Sequence, residues 1–167
     1  MMTIKKLISV IALGSILFFT ASWWENSQSG INTAFIKLGG LSFHTSIDTG
    51  INEAKNLGKP IFLYFRSETC YWCKKFEEEA LSDKRVIDII NKNFVIISID
   101  TFKQKNVSNN LGVRSTPFMI FFTKDGEEIS RIPGYIPTDE FLIKLNSVLD
   151  KGESDRGLNL SYRGNIS

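Results

Sequence analysis

The chain is poor in histidine and cysteine. Its 167 residues include one histidine, His44, and two cysteines, Cys70 and Cys73. Tetrahedral structural zinc draws four ligands mostly from Cys and His, and that set is missing here. Covalent haem attachment requires a histidine directly after the second cysteine of the pair, but Lys74 stands there. No cofactor is therefore expected. Net charge is also scarce. The formal value is +2, and outside the first 24 residues basic and acidic side chains balance. This leaves no bulk electrostatic argument for a nucleic-acid partner. No internal repeat is visible.

The N-terminus reads as an export signal. Lys5 and Lys6 precede the uncharged run ISVIALGSILFF, Ile8 to Phe19. Thr20 and Ser22 have the spacing that a signal peptidase reads, which places cleavage before Trp23. The stretch from Leu7 to Trp24 also approaches bilayer-spanning length, and Trp23 and Trp24 suit a membrane interface. Residues 1–24 are thus expected to be a signal peptide or an N-terminal anchor, and any membrane contact runs through them alone. Both readings put the folded part in a periplasmic or other extracytoplasmic space.

Residues 25–40 are polar and Gly-containing and read as a linker, although Ala34 to Leu38 can pack on the domain. Residues 41–150 carry the pattern of one domain. Leu41 to Ile47 suggests a short edge strand, and Asp48 to Leu57 a helix closed by Gly58 and Pro60. The runs IFLYF (Ile61 to Phe65), FVIISI (Phe94 to Ile99) and FMIFF (Phe118 to Phe122) are apolar on both alternations, as strands buried on two faces are. Helical patterns lie between them, at Tyr71 to Leu81 and in the Val86–Ile90 segment after Ser82 or Asp83. A turn centred on Asp125-Gly126 leads to a fourth strand, Glu128 to Ile132. Phe141, Leu142, Leu145, Val148 and Leu149 make an apolar stripe on a last helix. Residues 151–167 read as a polar tail. The expected fold class is α/β, a mixed central sheet with helices on both faces.

Both cysteines fall in SETCYWCKKFEEEA, between a buried strand and a helix. A helix start offers free N–H groups and the positive end of the backbone dipole, and both favour a thiolate. Cys70 can then attack a disulfide and Cys73 resolve the mixed disulfide. A bridge across two residues closes too small a loop to constrain the unfolded chain strongly, so chemistry explains the pair better than stapling does. The acidic run Glu77, Glu78 and Glu79 reads as a solvated helix face. Ser115-Thr116-Pro117 opens the FMIFF strand. The X-Pro bond there is either an ordinary trans bond or a cis bond exposing the Thr116 backbone.

Together, CYWC, the IFLYF strand before it, Thr116-Pro117 before FMIFF, the Asp-Gly hairpin, Gly134 and the terminal helix resemble the thioredoxin superfamily. The stretch EAKNLGKPIFLYFRSETCYWCKKFEEEAL resembles its exported bacterial members and the end domain of the DsbD reductant family. The resemblance implies a thioredoxin-like fold with Cys70 as nucleophile, Cys73 as resolver, Pro117 as a cis-proline and Thr116 as a backbone partner for a bound peptide. Tyr71 and Trp72 would flank the substrate and tune the pair. The implied partners are protein thiols and disulfides together with a membrane electron donor, and the preferred direction is reducing. Where thioredoxins carry a buried Asp before the motif, this chain has Tyr64. The Lys that pairs with that Asp is matched by Ile96, and the Trp before the first cysteine by Thr69. Glu68 is the nearest carboxylate in sequence. The alternative class is a non-catalytic thioredoxin-fold binding or chaperone module whose bridge stays closed.

Overall fold

The computed structural model describes residues 34–163, with side chains as far as residue 152. The expected signal or anchor at 1–24 lies outside the described residues. Six strands form one sheet: β1 Phe35–Leu38, β2 Leu41–His44, β3 Ile61–Arg66, β4 Val95–Asp100, β5 Phe118–Phe122 and β6 Glu128–Pro133. Their spatial order is β1-β2-β4-β3-β5-β6. The β2–β4 and β3–β4 pairs are parallel, while β1–β2, β3–β5 and β5–β6 are antiparallel. Among the described residues five helices complete the fold: α1 Ile47–Leu57, α2 Tyr71–Glu79, α3 Lys84–Asn93, α4 Lys105–Asn110 and α5 Thr138–Arg163.

β3 is central, and all six of its residues are buried. Its alternation divides the interior in two. Phe62 and Tyr64 join Phe43, Phe76, Phe121 and Phe141 in a core under α2, α3 and α5. Ile61, Leu63 and Phe65 face the other way, with Ala54, Ile97, Ile99 and Val113 under α1 and α4. Burial on both faces is what the unbroken apolar runs require.

Several boundaries differ from expectation. Part of the segment read as a linker is strand β1. It pairs with β2 from Phe35↔His44 to Leu38↔Leu41. Ile36 packs on the core and Leu38 is buried in it, a period-two pattern too short to stand out among polar neighbours. Gly39 makes the turn with φ +58, and an added Cβ would lie 2.5 Å from the Leu81 carbonyl oxygen. At the other end α5 continues to Arg163, through residues read as a loose tail. No proline interrupts it, and single glycines are tolerated within a helix. Residues 164–167 lie outside the described residues. Among the described residues no helix is long and apolar enough to cross a membrane.

Candidate active site

β3 ends at Arg66, and three residues carry the chain to Cys70. The turn is closed by the Cys70 N–H donating to the Ser67 carbonyl at 3.3 Å. Cys70 is the N-cap of α2, with extended backbone. Its Sγ accepts the Cys73 backbone N–H at 3.1 Å, as a capping side chain does. The two cysteines are joined in a disulfide with Cα atoms 5.2 Å apart. Cys73 is fully buried, whereas Cys70 is half-buried and faces a cleft. The outer sulfur is reachable and the inner one is shielded by the first helical turn.

Tyr71 and Trp72, between the cysteines, are 69% and 50% exposed. The Trp72 ring lies 5.3 Å from that of Tyr135, and Lys75 Nζ sits over both rings at 5.4 and 5.1 Å. The Tyr135 hydroxyl donates to Glu79 Oε2. An open cleft of about 700 Å³ adjoins the disulfide. Its walls include Cys70, Tyr71, Trp72, Phe102, Arg114 and Thr116. The Thr116–Pro117 peptide bond is cis. Pro117 itself is buried behind Thr116. Four of the six residues singled out from sequence, Cys70, Tyr71, Trp72 and Thr116, thus meet at one cleft. Cys73 and Pro117 lie just beneath that surface.

The inner side of the pair holds Tyr64, at the position where thioredoxins carry a buried Asp, and Glu77, which sequence reasoning places on a solvated face. Tyr64 is fully buried. Its hydroxyl is 3.1 Å from Glu77 Oε1 and 3.4 Å from the Cys73 carbonyl oxygen. Arg66 Nε donates to the same Glu77 oxygen at 2.7 Å. The Arg66 and Glu77 side chains are only 10% and 12% exposed, so Glu77 does not belong to the solvated face assigned to residues 77–79. The sequence signal is that Glu77 follows Cys73 by four and Phe76 by one, on the helix face that buries both. Glu78 and Glu79 are exposed. Burial, and secondarily the Glu77 charge, push the Tyr64 phenol well above its usual pKa, so it remains a neutral donor. Glu68, the nearest carboxylate in sequence, is a surface group paired with Lys103.

A bridged Cys-x-x-Cys at a helix start, on a mixed sheet and beside a proline-opened strand, defines a thioredoxin-fold protein. The comparisons agree. The family model described as "Thioredoxin-like domain" matches residues 47–149, and the chain belongs to that family. The thiol:disulfide interchange protein DsbD of Campylobacter jejuni is 33% identical over 97 residues, covering 56% of this chain and 17% of that protein. The DsbD of Salmonella typhi is 24% identical over 149 residues, covering 84% of this chain and 26% of that protein. The chain therefore spans a small part of these relatives. Among solved structures, a Thermus thermophilus thioredoxin superposes with a TM-score of 0.60 at 29% identity, covering 65% of this chain and 87% of that one.

Proposed function

We propose that this protein is an extracytoplasmic thiol–disulfide oxidoreductase that exchanges disulfides with protein thiols through Cys70 and Cys73, and that it works in the reducing direction. The observation that carries the reading is the asymmetric pair at the start of α2, with Cys70 at the cleft and Cys73 fully buried. In the reduced form the Cys70 thiolate attacks a client disulfide and expels one client thiolate. Cys73, as its thiolate, then attacks Cys70 Sγ, closes the bridge and releases the second client thiolate. The client gains two electrons and the protein disulfide is regenerated. A dithiol electron donor, membrane-held in this proposal, restores the reduced form. Likeness to the DsbD proteins supports the direction and the compartment.

The client segment would lie in the cleft beside Thr116, between Trp72 and Phe102. The Thr116 backbone has no hydrogen-bond partner among the described residues, so its groups are available to an extended peptide. Cys70→Ser is expected to reduce disulfide exchange by the purified protein to the uncatalysed background. Cys73→Ala is expected to accumulate mixed disulfides with clients in the native compartment. Full exchange activity in Cys70→Ser would overturn the proposal. A closed bridge with a potential below about −300 mV would favour the non-catalytic binding module instead, since structural bridges resist reduction in that range.

A further inference from the structure

We infer that Tyr135 is a positioning residue: it holds the Trp72 indole as a fixed wall of the cleft beside Cys70, and so sets how tightly extended peptide disulfides, as against small-molecule disulfides, are held. The inference rests on the oxidoreductase reading and deepens it by naming what selects the substrate class. Tyr135 follows Gly134, whose N–H donates to the Pro117 carbonyl at 2.9 Å. It precedes Ile136, which is buried in the core. The loop is therefore tied to the residue that opens β5 on one side and to the core on the other. From this stem the ring meets three side chains of α2. Its centroid lies 5.3 Å from that of Trp72, with an interplanar angle of 42°. Lys75 Nζ sits over both rings, 5.4 Å from the Trp72 centroid and 5.1 Å from the Tyr135 one. The Tyr135 hydroxyl donates to Glu79, and Glu79 Oε1 lies 3.9 Å from Lys75 Nζ. Trp72, Lys75 and Glu79 are spaced by three and four, which puts them on one helix face.

An exposed side chain ordinarily hops between rotamers. Trp72 is 50% exposed, yet it is held from two sides. The Tyr71 ring lies 5.3 Å away at 77°, and Tyr135 with Lys75 supplies the second support. Trp72 lines the cleft that Cys70 and Thr116 also line. Tyr135 is not among the described residues that line it, so its effect on a client there passes through Trp72. The stacked ring and the shared cation each hold the indole beyond what area alone gives. The hydrogen bond to Glu79 fixes the phenol in turn, and it raises the Tyr135 pKa above its usual value. The phenol thus stays a neutral donor near neutral pH. A wall that is already fixed spares a bound segment the ordering of that side chain, which a free indole would require at each encounter. A small disulfide reaches Cys70 without lying along the wall and gains nothing from it.

The test follows bridge closure in the reduced full chain under single-turnover conditions, with a disulfide-closed peptide or with hydroxyethyl disulfide. The protein dithiol becomes the Cys70–Cys73 bridge. Two electrons and two protons pass to the client disulfide, which leaves as two thiols. Tyr135→Ala is expected to raise the half-saturating peptide concentration about fivefold, the size of effect one aromatic contact gives, and to leave the maximal rate and the hydroxyethyl disulfide rate within about twofold of the parent. Tyr135→Phe keeps the ring beside Trp72 and Lys75 and is expected to restore most of the loss. Trp72→Ala should weaken peptide binding at least as much as Tyr135→Ala. Adding Tyr135→Ala to it should change nothing further, because the two residues act as one unit. Additive losses in that double variant overturn the inference. So does a half-saturating concentration in Tyr135→Ala within about twofold of the parent, or an equal loss with hydroxyethyl disulfide. If Tyr135→Ala does not fold, Tyr135→Leu decides, because it keeps an apolar contact with the core and loses the ring. A half-saturating concentration equal to the parent's in that variant overturns the inference. Failure of the parent protein to close its bridge with either disulfide would instead remove the oxidoreductase reading, and this inference with it.

Discussion

Tyr64 shows how one position can change the character of the site without changing the fold. Its ring fills the core between Phe43, Phe62 and Phe76, which an aspartate could not do. Its hydroxyl supplies one donor to a carboxylate that arrives from α2 rather than from β3. Tyr64→Phe should keep the packing and lose that donor, while Glu77 retains Arg66. The expected cost is about 1 kcal/mol, the usual net value of one hydrogen bond, read as a lower urea midpoint with an unchanged slope. A loss several times larger would mean that the hydroxyl holds the α2–β3 packing together. The substitution at Tyr64 was legible in sequence. Its partner was not, because Glu77 sits in a run of three glutamates and only helical phase separates it from its exposed neighbours.

The long buried elements were readable because their patterns have no competing explanation. IFLYF, FVIISI and FMIFF can avoid water only within a sheet covered on both faces, and they became β3, β4 and β5. Strand β1 was obscured because its four residues alternate within a polar, glycine-bearing stretch. It is held by pairing with β2, and by the Gly40 N–H donating to the Leu81 carbonyl at 2.9 Å. Those partners lie outside the strand itself, and local propensity does not register them. A linker would tolerate change at Gly39, whereas a packed turn with positive φ would not. Gly39→Ala is expected to destabilise the domain by more than about 1 kcal/mol, because the added Cβ would press on the Leu81 carbonyl. Chemical denaturation measures this directly, and an unchanged midpoint would show that the β1–β2 hairpin contributes little.

The cleft beside Cys70 is assembled from separate parts of the chain: the turn after β3, the loop after β4, helix α4 and the segment before β5. The motifs could be named from sequence, but the composition of the cleft wall depends on how the sheet orders its strands. β3 lies between β4 and β5, so the loop after β4 and the segment before β5 both reach the end of the sheet that carries α2. That geometry brings Lys105 and Arg114 to the wall, and among the described residues no carboxylate lines it. Both cations are exposed and neither has an ion-pair partner among the described residues. A client segment with an acidic side chain near its cysteine should therefore meet a favourable field and associate faster. Reversing the wall with Lys105→Glu and Arg114→Glu is expected to slow exchange with an acidic disulfide peptide about tenfold at low ionic strength, and to speed exchange with a basic one. Because the charges face solvent, the difference should fade as salt shortens the screening length to about 3 Å near 1 M. Stopped-flow rates with matched acidic and basic peptides at two salt concentrations measure client choice at the wall. Equal rates for both peptides in the parent protein would show that the cleft does not select clients by charge.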